Sequence, residues 1–196
     1  EYTQLEPMNR IHWAATAREQ KLMVYNNDST SRQNISVILN MQSREFEQFR
    51  TIDEETMESA IRVCAGLFQT TLESGMPLRF ITNAAVDDSR TTISTNEYWG
   101  PEHVESLWQL LARLRLKSTE DFPIFLSDNY HSITSTDIIL VTAYLNDRIL
   151  EFAYRKQAEG IKVRLILLGE VPSGLDASGC DLLQLIPLEL KKEAAV

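Results

Sequence analysis

The sequence is poor in the residues that mark the specialised protein classes. Its 196 residues hold two cysteines, Cys64 and Cys180. Two isolated thiols do not make a disulfide or zinc framework, and a reducing compartment is the simpler expectation. Seven glycines and six prolines exclude collagen-like and low-complexity chains. No uninterrupted apolar run exceeds four residues, so nothing reads as a membrane span or a signal peptide. Basic charge is also short. The 19 Lys+Arg against 28 Asp+Glu leave a net charge of −9. That balance argues against a general nucleic-acid binder, which needs a basic face to neutralise phosphates.

What is present is a core-forming composition, 43% hydrophobic. The length suits one domain with a lead-in segment, and a chain of this size buries roughly 70% of the surface it exposes when unfolded. The chain opens on Glu1 with no initiator Met, and reads as part of a longer protein.

Three stretches are expected along the chain: a lead-in over 1–34, a domain over 35–190 and a frayed tail over 191–196. In the lead-in, Leu22–Tyr25 is a short apolar run compatible with a strand, and Asn26–Ser31 is loop chemistry. The Asn-x-Ser triplets at Asn27 and Asn34 read as chance sequons. Beyond residue 34, strand and helix alternate. The β-branched run Ile35–Leu39 is a buried strand. Met57, Ala60, Ile61, Cys64, Leu67, Phe68 and Leu72 form a helical stripe, with Thr51 and Glu54 spaced as a capping box and Gly75 closing the helix. Leu78–Thr82 is a strand, and Thr91–Thr95 is its hairpin partner after the turn at Asp87–Ser89. A second helix starts at Pro101 and buries Val104, Leu107, Trp108, Leu111 and Leu114. After an irregular stretch over 117–136 come the strand Ile138–Thr142 and a helix capped by Asn146 or Asp147. The stripe of that helix is Leu150, Ala153, Tyr154 and Gln157, and Gly160 ends it. Val163–Leu168 is a further strand, and Leu182–Ile186 a last strand or helix turn. This order predicts an α/β fold: a doubly wound, mostly parallel sheet flanked by helices, with one antiparallel edge strand.

In such a sheet the ligand site lies at the carboxyl ends of the strands. The loops after residues 39, 82, 142 and 168 carry no G-x-G-x-x-G and no G-x-S-x-G. Gly169 and Gly174 have P-loop spacing, but Leu175 and Asp176 stand where Lys and Ser/Thr are needed. Ser127, Asp128 and His131 read as a turn, since a triad is assembled in space rather than along the chain. His103 falls in the first turn of a helix and is expected exposed. Cys64 lies on an apolar stripe and is expected in the core. Asp53, Glu54 and Glu55 complement a helix N-terminus. No catalytic residue and no cofactor is predicted. A metal-dependent or hydrolytic enzyme with a non-local site stays open as the alternative.

The lead-in carries the most distinctive pattern: Arg10-x-His12-Trp13-x-x-x-Ala17-Arg18, followed by Leu22-Met23-Val24. With Glu1-Tyr2 before it and the α/β pattern after it, the chain resembles the bacterial "domain of unknown function 58" family, which has a von Willebrand factor A-like domain. The resemblance implies a non-enzymatic protein-interaction domain. It would be the cytoplasmic part of a membrane-anchored protein, with two membrane helices upstream, acting with a MoxR-type AAA+ ATPase in assembly or maturation of other proteins. In the wider fold, Asp-x-Ser-x-Ser after the first strand often binds Mg²⁺. Here that segment reads Asn40-Met41-Gln42-Ser43-Arg44, and Ala143 stands where a later Asp is expected. Hard dications want anionic oxygen, so no metal-ion-dependent adhesion site is predicted. The predicted partner-binding rim is Asn40, Gln42, Ser43, Arg44, Thr142 and Asn146.

Overall fold

The structure, a computed structural model, describes residues 33–47, 53–87 and 91–185. The chain divides into Glu1–Arg32 and Gln33–Val196, and the strands and helices described belong to the second unit. The Arg10, His12, Trp13, Ala17 and Arg18 motif, the run at Leu22–Tyr25, Thr51 and the tail all lie outside the described residues.

A six-stranded sheet forms the middle layer. Its strands are β1 (Ile35–Leu39), β2 (Leu78–Thr82), β4 (Ile93–Ser94), β6 (Asp137–Thr142), β7 (Lys162–Leu167) and β8 (Asp181–Gln184), in the order β4-β2-β1-β6-β7-β8. All neighbours are parallel except the edge pair β2–β4. The helices are α1 (Glu54–Glu73), α2 (Pro101–Arg113), α3 (Phe122–Asp128) and α4 (Asp147–Ala158). β1 is buried along its whole length and feeds two cores, because successive strand residues face opposite sides. Val37 and Leu39 pack with Phe80 against Met57, Cys64 and Phe68 of α1 and Val104, Leu107 and Leu111 of α2. Ile38 packs with Leu140 and Leu165 against Phe122 and Phe125 of α3 and Ile149 and Phe152 of α4. The α/β, mostly parallel architecture with an antiparallel edge is therefore as the strand and helix pattern predicts.

Several local expectations are corrected. The stretch over 117–136 is not irregular throughout. It contains α3, and β5 (Leu114–Ser118) pairs antiparallel with β3 (Ala84–Val86) as a second, two-stranded sheet. The N-cap of α1 is Asp53 rather than Thr51: its carboxylate accepts from the Thr56 amide at 3.0 Å and the Thr56 hydroxyl at 2.7 Å. An anionic acceptor at the helix start also meets the positive end of the dipole. The N-cap of α4 is Asn146, which accepts from the Ile149 amide at 3.0 Å. Trp108 is 39% exposed, its indole reaching over to donate to the Ala65 carbonyl. His103 is half-buried instead of exposed, bonded through Nε2 to the Leu78 carbonyl at 2.9 Å. On α4, Tyr154 turns outward and Lys156 inward. That ammonium is satisfied by the Ile133 carbonyl at 3.0 Å, Glu159 at 3.1 Å and the face of the Tyr130 ring. Among the described residues no helix is long and apolar enough to cross a membrane.

Candidate functional site

The strand order fixes where a site belongs. From β1 the chain winds outward to β2 and β4, then returns to place β6 on the other side of β1. The β1–β6 seam is the topological switch point, beyond whose carboxyl end open α/β sheets hold their ligands. Asn40 follows β1 and Thr142 closes β6, so the sheet itself brings them together: Asn40 Nδ2 donates to Thr142 Oγ1 at 3.0 Å. Thr142 Oγ1 in turn donates to the Tyr144 carbonyl at 2.8 Å. Asn40 Oδ1 accepts from the Gln42 amide at 2.9 Å. The Met41 amide is taken by Asn83 at the end of β2, at 2.8 Å.

Gln42 is the hub of the floor. Its Oε1 accepts from the Phe122 amide at 2.7 Å and the Tyr144 hydroxyl at 3.2 Å, and its Nε2 donates to the Glu47 carbonyl at 2.6 Å. The loop then closes on its own carboxylate. Glu47 is buried, and its side chain accepts from the Ser43 amide, from the Ser43 hydroxyl at 3.0 Å and from the Arg44 amide at 3.3 Å. Buried amides and hydroxyls left unpaired each cost about 1–3 kcal/mol, so this wiring is what makes a polar floor tolerable.

Of the six predicted rim residues, Asn40, Gln42, Ser43 and Thr142 are buried and build the floor; Arg44 is exposed and Asn146 half-buried. The polarity of the four floor residues is met inside the fold: Asn40 bonds Thr142, Gln42 bonds the Phe122 amide and the Glu47 carbonyl, and Ser43 bonds the Glu47 carboxylate. Above the floor, Arg44, Glu45 and Phe46 are exposed and Asn146 is half-buried, with Asn146 Nδ2 donating to Glu45 at 2.8 Å. Sequence reasoning missed Phe46, Glu47, Asp121 and Tyr144. The available signal was a carboxylate four residues after Ser43, within reach of the loop amides.

Phe46 is the exception to this economy. It is 77% exposed and has φ +60°. A bulky residue in the left-handed region costs about 1–2 kcal/mol, and such strain collects at functional sites.

The donor set does not fit a hard divalent cation. The two oxygens nearest the seam, of Asn40 and Thr142, are uncharged and engaged, and no group of three His, Cys, Asp or Glu among the described residues has metal-binding geometry. Burial is the main cause that lifts the Tyr144 hydroxyl above its ordinary range. The Asn40 bond opposes this, while Asp121, Glu45 and Glu47 reinforce it. Burial likewise raises the Cys64 thiol, which fits an inert core residue.

No family model matches the chain, and no curated protein matches it. Among solved structures it is similar to proximal thread matrix protein 1 from the mussel byssus, with a TM-score of 0.52 at 12% identity. The match covers 81% of this chain and 44% of that one, so the chain spans less than half of its neighbour. At this identity the likeness is one of fold, and it agrees with the doubly wound α/β architecture.

Two hollows are lined in part by the start of α4. One of about 490 Å³ lies between the loops after β6 and β7, lined by Glu45, Asn146, Asp147 and Ser173–Leu175. Gly169 serves packing: a Cβ there would sit 2.7 Å from the Ala143 carbonyl oxygen, so the two loops approach only over a glycine. A second groove, of about 340 Å³, runs between α3 and α4 past Ser127, Asp128, Arg148 and Arg155. His131 sits in a short 3-10 turn (Tyr130–Ser132) edge-on to Tyr130, and does not line that groove with Ser127 and Asp128.

Proposed function

We propose that this chain is a non-enzymatic protein-interaction domain of the von Willebrand factor A-like type, docking through the loops at the carboxyl end of the β1–β6 seam. The observation that carries the reading is the combination found there: a floor of buried polar side chains whose hydrogen bonds are already made, under a loop that holds Phe46 outward. A satisfied floor supplies shape and rigidity more than reactivity, and interfaces want rigid elements behind their anchors. The resemblance of the Arg10, His12, Trp13, Ala17 and Arg18 motif adds the setting. In it, the domain is the cytoplasmic part of a membrane-anchored bacterial protein that works with a MoxR-type AAA+ ATPase in assembling or maturing other proteins.

The test is capture of the MoxR-type ATPase by the immobilised chain, comparing wild type with Arg44→Ala/Glu45→Ala. Both side chains are exposed, so the double variant leaves the floor intact. Capture is expected to fall at least about tenfold. Unchanged capture removes this face from the interaction.

A further inference from the structure

The loop after β1 holds a large apolar side chain that no described residue covers, since Phe46 is exposed. Phe46 is flanked by two carboxylates that pin it from both sides. Glu47 turns inward onto the Ser43 and Arg44 amides, and Glu45 is held by Asn146 of the α4 cap. The Glu47 carbonyl is fixed as well, by Gln42 Nε2. With both neighbours anchored, the left-handed residue between them projects its ring from a braced backbone. Interfaces favour such pre-organised aromatic anchors, because little side-chain freedom is lost on docking.

Charge around the ring narrows what can cover it. Glu45 is exposed and adjoins the ring along the chain, while Glu47 and Asp121 meet the Gln42 side chain behind it. Asp121 lies 3.5 Å from Gln42 Nε2, and Asp147 opens α4 beside Asn146. Among the described residues, Arg44 precedes Glu45 in the chain and Arg148 lines the same hollow as Glu45. A partner that brought carboxylates here would meet like charge and leave these acids less solvated.

We infer that Phe46 is the anchor of the docking face, and that the partner protein receives it in an apolar socket ringed by lysine or arginine. The inference rests on the docking reading above and names the chemistry of its partner. Glu47 acts through Phe46 as a positioning residue, since its own carboxylate is turned into the loop.

A random peptide library displayed on phage, panned against the full 196-residue chain, supplies the probe, and calorimetry on the consensus peptide supplies the affinity. The expected consensus is an aliphatic or aromatic cluster flanked by Lys or Arg. Its affinity falls more than about tenfold with Phe46→Ser. Raising the salt from about 50 to about 500 mM weakens it severalfold. Trp99→Ser leaves it unchanged, because Trp99 adjoins Tyr98 at the opposite, amino end of β2. Phe46→Gly is the second variant, which keeps the loop conformation if the serine form unfolds. An acidic or uncharged consensus, or binding that survives both Phe46 variants, overturns the anchor even when ATPase capture still depends on Arg44 and Glu45. A library that enriches nothing at this end overturns the anchor, and capture that ignores Arg44→Ala/Glu45→Ala separately removes the docking reading.

Discussion

The two ends of the β1–β6 seam are pinned by different chemistry. At the amino end, Asn34 and Thr136 interlock: the Asn34 amide donates to Thr136 Oγ1 at 3.0 Å and the Thr136 amide to Asn34 Oδ1 at 2.7 Å. The hydroxyls of Ser36 and Ser135 meet at 2.7 Å just inside. These bonds finish the ladder, and Asn34 Nδ2 goes on to donate to Glu97 at 2.6 Å. At the carboxyl end the bonds run on through Asn40, Thr142, Gln42 and Glu47 into a loop, and end at a residue with positive φ. One end closes a sheet; the other uses comparable polar wiring to hold up a strained, exposed ring. Bonds that terminate a ladder explain themselves by the ladder, whereas bonds that brace a strained loop point to what the loop presents.

Substitutions can break this contrast, starting with the deepest. Asn40→Ala leaves the Gln42 amide without its buried acceptor and takes a donor from Thr142 Oγ1, and is expected to cost about 3 kcal/mol, read as a lower urea midpoint. Glu47→Ala frees the Ser43 and Arg44 amides and is expected to cost about 2 kcal/mol. It should also weaken binding of the consensus peptide, which a purely structural pin would not do. Ser135→Ala at the other end is expected to cost about 1 kcal/mol and leave binding untouched. Glu159→Gln, also toward the amino end, has the smallest effect. The bonds from Tyr130 and then Lys156 hold the Glu159 carboxyl below its ordinary 4.5. Its contribution is thus complete above that value and is lost as pH falls through the lowered folded value. The glutamine variant should therefore lose a little stability at neutral pH and show a flatter acid limb in melts taken below pH 4.5.

Much of the frame was legible because it rests on periodicity. The buried run Ile35–Leu39, the stripe through Cys64 and Phe68, and the alternation of strand with helix place the sheet and its switch point. Asn40 and Thr142 follow from that placement, since they end adjacent strands. What was not legible depends on contacts across the fold. α3 is seven residues long, too short for a stripe, and its burial of Phe122 and Phe125 becomes clear only once α4 lies beside it. β5 alternates buried and exposed residues weakly because its partner is a three-residue strand. The polarity of the seam predicted a rim, yet four of the six side chains meet it inside the floor. Phe46 carries no pattern at all: its meaning lies in a backbone angle and in two neighbours' bonds.

The central claim is that the carboxyl end accepts backbone strain in order to present Phe46. Phe46→Gly tests it most directly, with thermal unfolding and consensus-peptide affinity measured on the same sample. Glycine relieves the left-handed penalty but adds entropy to the unfolded chain, for a net gain of about 0.5–1 kcal/mol, or a melting temperature about 2 °C higher. The expected result is that rise together with affinity weakened more than about tenfold. A lower melting temperature with unchanged affinity would contradict it.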